Sequence, residues 1–218
     1  MSPRTSASLG QLGVAFRTLV LLTLVLGLAY PVAITGIAMV GFANKADGSL
    51  IESDGRTVGS SLIGQSFTTP VEQDGQPILD AAGQQVYEPD PAYFQSRPSA
   101  AGAGYDPLAS SASNLGPDSP ELLALVQERR AEAAKLDGVD PSAVAPDALL
   151  ASGSGLDPEI SPAYAEEQVA RIARERGLDA SEVRELVEDH TDGRILGFLG
   201  EPTVNVLELN LGLDALDK

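Results

Sequence analysis

A single uncharged stretch constrains this chain more than any other feature. It runs from Thr18 to Asn44, between Arg17 and Lys45, and consists mainly of Leu, Val, Ile, Ala and Gly. The hydrocarbon core of a bilayer is about 30 Å thick, so a helix rising about 1.5 Å per residue crosses it with roughly 20 apolar residues. The stretch is longer than that and predicts one transmembrane helix over residues 18–44.

Charge is distributed unevenly around the predicted span. Arg4 and Arg17 precede it, whereas all 31 acidic residues follow it. Since two of the 14 basic residues lie in the head, residues 45–218 carry a net charge near −19. Positive flanks favour the cytoplasmic side, so residues 1–17 are predicted to be cytoplasmic and 45–218 to form an extracytoplasmic domain of a single-pass membrane protein. Such an acidic surface repels phosphate backbones, which excludes nucleic acid as a partner.

A cleaved secretory signal is the alternative to a retained anchor. Signal peptides have an apolar region of about 7–15 residues that ends at a small-residue site of the A-x-A type. Pro31 divides the stretch, and its first half alone has that length. The apolar run nevertheless continues to Phe42, and no A-x-A site follows Tyr30. The sequence therefore favours a retained anchor.

The predicted span carries small and polar residues on one side. Thr23, Gly27 and Tyr30 fall at i, i+4 and i+7 of a helix, and a face of this kind allows neighbouring helices to approach closely. Pro31 removes a backbone hydrogen bond and is expected to kink the helix. These four residues are the candidate partner-binding residues of the span. A lone anchor of ordinary glycine content fits the same pattern equally well.

The first half of the soluble part predicts strands, turns and loops. A strand-and-turn region is expected over residues 46–69, with a turn at Asp54-Gly55. Residues 70–92 predict a polar surface excursion with a hairpin at Asp74-Gly75. Residues 93–118 are rich in Gly, Ser, Asn and Pro, but their aromatic residues favour an ordered loop over a disordered linker.

The second half predicts three helices and a strand-like tail. Each helix has a capping residue at its start and apolar residues at helical spacing: Ser119 to about Lys135, Ser161 to Gly177, and Asp179 to near Gly193. Alternation of apolar and polar residues over 194–213 predicts a terminal strand. The predicted fold class is α+β: one N-terminal transmembrane helix followed by a single mixed α/β soluble domain.

The sequence offers little for catalysis. It has no cysteine, no tryptophan and one histidine, and it lacks a phosphate-binding loop of the G-x-x-x-x-G-K-[ST] type. His190 is expected to end a helix rather than to act in a triad, and Asp157 and Glu159 to cap a turn rather than to form an acid–base pair. Two function classes remain: an accessory subunit of a membrane complex, and a membrane-tethered extracytoplasmic binding protein or enzyme of unknown ligand.

Several blocks, in one order from the span to the tail, resemble the C subunit family of the Kdp potassium-transporting ATPases. The matching blocks are Leu28–Pro31, Gly48–Ile51, Gly64-Gln65 with Phe67, Tyr93-Phe94 with Arg97–Ala100, Ser113–Pro117, Ala151–Pro158 with Ile160–Pro162, and Leu196–Pro202 with Val204–Leu207 and Leu209–Leu211.

The sequence departs from the family pattern in three places. Residues 71–90 resemble an insertion, Glu159 stands where the family commonly has His, and Thr203 stands where it commonly has Arg. The last two departures weaken any role assigned to the side chains of Glu159 and Thr203.

The resemblance implies a bacterial inner-membrane complex that hydrolyses ATP to import potassium. The implied partners are a channel-like potassium-translocating subunit, a P-type ATPase subunit with the nucleotide site, and a small single-span subunit. ATP and potassium are then handled by the complex, and no cofactor or metal is assigned to this chain. The chain itself is implied to be a non-catalytic subunit that stabilises assembly and acts as a catalytic chaperone for ATP binding.

We expect the domain to bind the outer face of the potassium-translocating subunit through its ordered loops. An outer domain cannot touch cytoplasmic ATP, so an effect on ATP binding would have to pass through the span. The candidate partner-binding residues of the loops are Tyr93, Arg97, Ser99, Asn114, Ser152, Ser154 and Asp157.

Overall fold

A computed structural model describes residues 3–81 and 83–216, with side chains from Gly10 onwards. The chain divides into two units, one ending at Leu50 and one beginning at Ile51. The first is helical, and the second combines helices with short strands. The predicted α+β class, with one long apolar helix near the N-terminus, is confirmed.

The N-terminal unit is dominated by one helical rod. Helix α1 covers Pro3–Leu24, α2 covers Tyr30–Gly41, and the short α3 covers Ala43–Ala46. Within the described part of the chain, Gly10–Gly41 is the one helical stretch long and apolar enough to cross a membrane. Its large apolar side chains are exposed, as expected of a surface that lipid or other helices would cover.

A π-helical turn, Val25–Ala29, separates α1 from α2. The Tyr30 amide donates to the Val25 carbonyl, five residues back, instead of the usual four. Pro31 explains this turn, because proline has no amide to donate to the Gly27 carbonyl and its ring crowds that carbonyl. The structure thus accommodates Pro31 by widening the turn that precedes it.

Two hairpins confirm the turns predicted at Asp-Gly pairs. Strands β1, Leu50–Ser53, and β2, Arg56–Ser60, pair across Asp54-Gly55. Both turn residues have positive φ, +51° and +74°, as two-residue hairpin turns with the right twist require. Asp74-Gly75 makes the second turn of this kind, between two short paired segments, Glu72–Gln73 and Gln76–Pro77.

Residues 68–81 and 83–89 form a small β arm. Strand β3, Thr68–Pro70, pairs antiparallel with β6, Tyr87–Pro89, while β4, Glu72–Gln73, and β5, Gln76–Pro77, form the hairpin beyond them. All four strands consist of exposed residues. The expected polar surface excursion is therefore an ordered β arm.

The three predicted helices are present with the predicted starts. They are α4, Pro120–Asp137, α5, Pro162–Arg176, and α6, Ala180–Asp189. The Ser119 and Ser161 hydroxyls accept from backbone amides of the first turns of α4 and α5, and Asp179 starts α6 with a full capping box. Helix α6 ends at Asp189 rather than near Gly193, because Thr191–Asp192 leaves the helix to pair as strand β8.

The tail corrects the predicted terminal strand. Only Thr203–Asn205 is a strand, β9, and Val206–Leu216 is helix α7. Asn205 ends the strand and begins the helix, since its Oδ1 accepts from the Glu208 amide at 3.1 Å. The apolar residues at 206, 209 and 213 recur every three to four positions and are buried, so from Val206 onwards the apolar pattern is helical spacing rather than strand alternation.

The core lies between the helices and a three-stranded antiparallel sheet. Strand β7, Glu159–Ile160, β9 and β8 lie side by side in that order. Helix α5 is central and packs on α4, α6 and β9. The largest fully buried apolar side chains are Phe94, Ile160, Val169, Ile172, Val183, Val204, Val206, Leu209 and Leu213.

Candidate partner-binding site

Arg97 links two long loops, residues 93–111 and 149–158. Its Nη1 lies 3.0 Å from Asp157 Oδ2, and its Nε and Nη2 donate to the Leu150 carbonyl at 3.3 and 3.2 Å. Both side chains of the ion pair are 26% exposed, so the pair contributes at most about 1 kcal/mol. Its main effect is to orient the loops, and we call this region the two-loop junction.

Serine residues connect the same two loops through the backbone. Ser99 Oγ donates across the loops to the Gly155 carbonyl at 2.6 Å, while within the second loop Ser152 Oγ accepts from the Gly155 amide at 2.9 Å. The Ser154 carbonyl accepts from the Ser111 amide at 3.0 Å. Five of the seven candidate loop residues, Arg97, Ser99, Ser152, Ser154 and Asp157, therefore lie in the two-loop junction.

Gly155 makes the close approach of the loops possible. Its φ is +68°, and a Cβ there would lie 2.7 Å from both the Ala101 amide nitrogen and the Ser111 carbonyl oxygen. Gly64 allows a similarly close approach to the second loop, because a Cβ on Gly64 would lie 2.4 Å from the Asp157 carbonyl oxygen. Only glycine fits at either position without moving the backbone.

Tyr105 fills the inside of the two-loop junction. Its hydroxyl donates to the Arg97 carbonyl at 2.9 Å. Burial raises the pKa of Tyr105 to about 12. The phenol therefore stays neutral at physiological pH and serves as a structural donor.

A cleft of about 370 Å³ opens beside the junction. Two of its carboxylates hold local structure: Asp147 accepts from the Ser161 amide and hydroxyl at 2.7 and 3.0 Å, and Asp157 Oδ1 accepts from the Glu159 amide at 3.1 Å. Asp157 thus caps a turn, as predicted. Over residues 3–81 and 83–216, no three His, Asp or Glu side chains meet as a metal-binding group. The cleft is lined by Arg97, Pro146, Asp147, Asp157, Glu159, Ile160, Ser161, Glu201, Pro202 and Thr203.

Tyr93 lies outside the junction, against α5 and α7. Its ring stacks on Phe67 with 5.7 Å between centroids, and Arg176 Cζ lies 4.5 Å from the Tyr93 centroid. The Tyr93 hydroxyl donates to Asp214 at 3.4 Å. Burial and the Asp214 carboxylate raise the pKa of Tyr93, so this phenol also remains neutral.

The two remaining predictions for single polar residues have different outcomes. Asn114 is exposed with φ of +52°, and its amide donates to the nearby Ala112 carbonyl at 3.2 Å, so the structure does not bring it into the junction. His190 ends α6 as predicted, with Nδ1 at 2.9 Å from the Leu186 carbonyl.

A buried polar network that the sequence did not predict holds the start of the first loop. Arg171 is fully buried, with Nε 2.7 Å from Asp137 Oδ1 and Nη1 donating to the Pro91 and Tyr93 carbonyls at 2.5 and 2.9 Å. The Asn210 side chain binds both backbone polar groups of Phe94: its Oδ1 accepts from the Phe94 amide at 2.9 Å, and its Nδ2 donates to the Phe94 carbonyl at 3.0 Å. The one available signal was Arg171 standing among apolar positions of α5.

A pair of acidic side chains completes this network. The carboxyl groups of Glu167 and Asp137 influence each other's pKa, and each has one buried oxygen without a hydrogen-bond partner. Burial raises the pKa of Asp137, although the Arg171 guanidinium lowers it. Burial also raises the pKa of Glu167, and Asp137 adds to that shift. A proton on Glu167, donated to Asp137, would give both buried oxygens a partner.

The candidate residues of the span surround the π-helical turn. Thr23 Cγ2 lies 3.8 Å from the position of a Cβ on Gly27, so these two residues are neighbours on the helix surface. Tyr30 is 60% exposed, and Pro31 follows it at the start of α2. The turn places a small-residue gap in the middle of the apolar rod.

Comparisons with known proteins identify the family. The family model described as "KdpC: K+-transporting ATPase, c chain" matches residues 12–215. A Potassium-transporting ATPase KdpC subunit from Kineococcus radiotolerans is 55% identical over 201 residues, covering 90% of this chain and 91% of that protein. Proteins with the same name from Streptomyces coelicolor and Mycobacterium bovis are 46% identical over 209 residues and 44% identical over 207, covering 90% and 94% of this chain and 88% and 98% of theirs. The chain belongs to the KdpC family, the c chains of K+-transporting ATPases.

Proposed function

We propose that this chain, as a KdpC subunit of a potassium-transporting ATPase, stabilises the assembly of the complex and raises the affinity of its P-type ATPase subunit for ATP. The two-loop junction carries the proposal. It is a broad loop surface held in one conformation by hydrogen bonds between loops that are far apart in sequence. A pre-ordered surface loses little conformational entropy on binding, which suits a docking role.

We infer that the chain itself performs no catalytic step. Tyr105 is a buried neutral donor, and the ring of His190 contacts its own helix. The carboxylates Asp147 and Asp157 hold backbone amides in place. ATP hydrolysis is assigned to the P-type ATPase subunit and potassium transfer to the channel-like subunit, with a small single-span subunit as a further partner.

The inferred location is the cell (inner) membrane, crossed once. An exposed apolar helix supports the anchor, and the positive head and the acidic domain support a cytoplasmic N-terminus. The inferred parts are residues 1–17 in the cytoplasm, 18–44 in the bilayer and 45–218 outside. We also infer that residues 71–90, which include the exposed strands β4, β5 and β6, are a surface insertion.

The span is proposed to dock on a neighbouring helix through Thr23, Gly27, Tyr30 and Pro31. Close helix packing in lipid depends on small residues at the contact. Within the loops, the proposed partner for Arg97, Ser99, Ser152, Ser154 and Asp157 is the outer face of the potassium-translocating subunit; Tyr93 and Asn114 are proposed as peripheral contacts.

Co-purification tests the docking of the span. Gly27→Leu is expected to reduce recovery of the other ATPase subunits with this chain about tenfold, because the larger side chain fills the gap beside Thr23. Gly36→Leu is the matched control, since Gly36 lies in α2, beyond the π-helical turn and apart from the four candidate residues. Equal recovery for both variants would reject the docking face.

Steady-state kinetics test the effect on ATP. A complex purified without this chain, or with the Gly27→Leu variant, is expected to show a higher KM for ATP than the intact complex. An outer domain has no access to cytoplasmic nucleotide, so the effect is a coupling through the span. An unchanged KM in a complex shown to lack the chain would remove the chaperone role.

A further inference from the structure

Four large apolar side chains stand exposed on the connection between β8 and β9. Their exposed fractions are 71%, 80%, 69% and 49%. They sit on ten residues, 193–202, whose two charged side chains, Arg194 and Glu201, form an ion pair with each other. We call this group the apolar tip; it consists of Ile195, Leu196, Phe198 and Leu199.

The apolar tip is an ordered turn. The Ile195 amide donates to the Leu199 carbonyl at 2.9 Å, and the Leu199 amide donates back at 3.0 Å. Leu196 has φ of +55° and Gly197 has φ of +81°, and the first of these is a conformation that L residues rarely adopt. Strands β8 and β9 pair directly behind the turn. The fold therefore presents the apolar side chains in a fixed arrangement.

The negative net charge of the domain argues against two possible partners of the apolar tip, an anionic bilayer and a second copy of this chain. A bilayer with anionic lipids repels a domain of net charge near −19, and Arg194, the one basic residue of 193–202, is already paired with Glu201. A second copy of this chain would bring the same net negative charge to the contact. An uncharged apolar groove on another protein avoids both penalties.

We propose that the apolar tip inserts into an apolar groove on another subunit of the potassium-transporting ATPase, with Phe198 as its anchor. The inference rests on the proposed function, since that function supplies the partner subunits. Rigid aromatic side chains that enter a partner's pocket carry most of the binding energy of an interface. The tip is separate from the two-loop junction in sequence, and it specifies an apolar contact where the junction offers a polar one.

Site-specific photo-crosslinking in native membranes tests the proposal. Phe198 is replaced by p-benzoylphenylalanine in the full chain, and the adduct formed on irradiation is identified by mass spectrometry. The expected adduct joins this chain to another subunit of the same ATPase. A lipid adduct, a dimer of this chain or no adduct would overturn the proposal. Leu123, which is 60% exposed on α4, is the control position and is expected to give no subunit adduct.

Co-purification separates failure of this inference from failure of the proposed function. Phe198→Ser is expected to lower recovery of the other subunits about tenfold, whereas Leu123→Ser leaves recovery within twofold. Because Phe198 is exposed, the variant opens no core cavity, and an unchanged circular dichroism spectrum checks folding. If the wild-type chain recovers no ATPase subunit, the proposed function fails and this inference with it. If wild type and Phe198→Ser recover the subunits equally, only this inference fails.

Discussion

At the scale of single residues, the buried ion pair of Arg171 with Asp137 matters more for stability than the ion pairs at the surface. Arg171 is the largest fully buried side chain, and its partners are a carboxylate and the backbone of the first loop. Arg174, one turn of α5 away, makes an exposed pair with Glu175. An arginine–carboxylate pair thus fixes the start of the loop when it is buried, as at Arg171, and contributes little to stability when it is exposed, as at Arg174.

Arg171→Ala is expected to destabilise the full chain by about 3–5 kcal/mol, because it leaves the Asp137 carboxylate buried without a cation and two backbone carbonyls without a donor. Arg174→Ala, the matched control, is expected to change the free energy of unfolding by less than about 1 kcal/mol. Urea titration of the full chain in detergent micelles, followed by circular dichroism, measures both. Similar losses for the two variants would contradict the assigned network.

The carboxyl pair of Glu167 and Asp137 predicts a pH dependence of stability. The pKa of both groups is raised in the folded state. The folded chain therefore binds a proton on Glu167 more tightly than the unfolded chain does. The stability that this proton contributes is complete below the ordinary glutamate pKa of 4.5, and it is lost as the pH rises through the raised pKa of the folded state. Glu167→Gln keeps a neutral donor beside Asp137 at every pH, so it is expected to be more stable than wild type by about 1 kcal/mol at pH 8 and equally stable at pH 4.

Urea titrations of the full chain at pH 4, 6 and 8 check this. The control is Glu166→Gln, because Glu166 is exposed and pairs with Arg184 at the surface; its effect is expected to be the same at each pH within about 0.5 kcal/mol. A loss of stability in Glu167→Gln that does not change with pH would show that the shared proton is absent.

At the scale of elements, local signals predicted the helices and turns, and distant contacts decided the rest. Ser119, Ser161 and Asp179 each start a helix, and the sequence was sufficient because a cap bonds only to the turn beside it. The tail was different, because the five apolar residues between positions 204 and 211 alternate with polar ones over a run that is short enough to fit either a strand or a helix. Asn205 ends the strand and caps the helix. Its side-chain amide also donates to the Ser61 carbonyl, 144 residues away, and no local sequence pattern could predict that bond.

The two-loop junction depends on glycine at position 155. Gly155→Ala is expected to cost about 1–3 kcal/mol and to speed hydrogen exchange of the Ser111 amide, because the added Cβ collides with backbone that has no free space and φ is +68°. Gly153→Ala, two residues away, places its Cβ where no other atom lies within 4 Å and is expected to leave exchange unchanged. Hydrogen exchange followed by mass spectrometry measures both variants. Equal exchange in the two would indicate that the loops are not held together at this point.

At the scale of the whole molecule, composition and order along the chain predicted the class, while the site required the three-dimensional contacts. The apolar stretch and the acidic remainder were enough to separate an anchor from a mixed domain. The candidate loop residues fell mostly in one place, yet the ion pair of Arg97 with Asp157 spans 60 residues and no local pattern joins them. Arg171 was missed for a different reason: arginine is rarely fully buried, so a sequence pattern assigns it to the surface.

The inferred orientation can be tested with thiol labelling, since the chain has no cysteine of its own. Leu108→Cys places one thiol on a side chain that is 96% exposed, and Ser6→Cys places one in the basic head. In right-side-out membrane vesicles, a membrane-impermeant maleimide is expected to label Leu108→Cys at once and Ser6→Cys only after the vesicles are opened, because positive flanks keep the head in the cytoplasm. The reverse order of labelling would put the domain in the cytoplasm. The effect on ATP would then have a direct route, and the coupling through the span would no longer be needed.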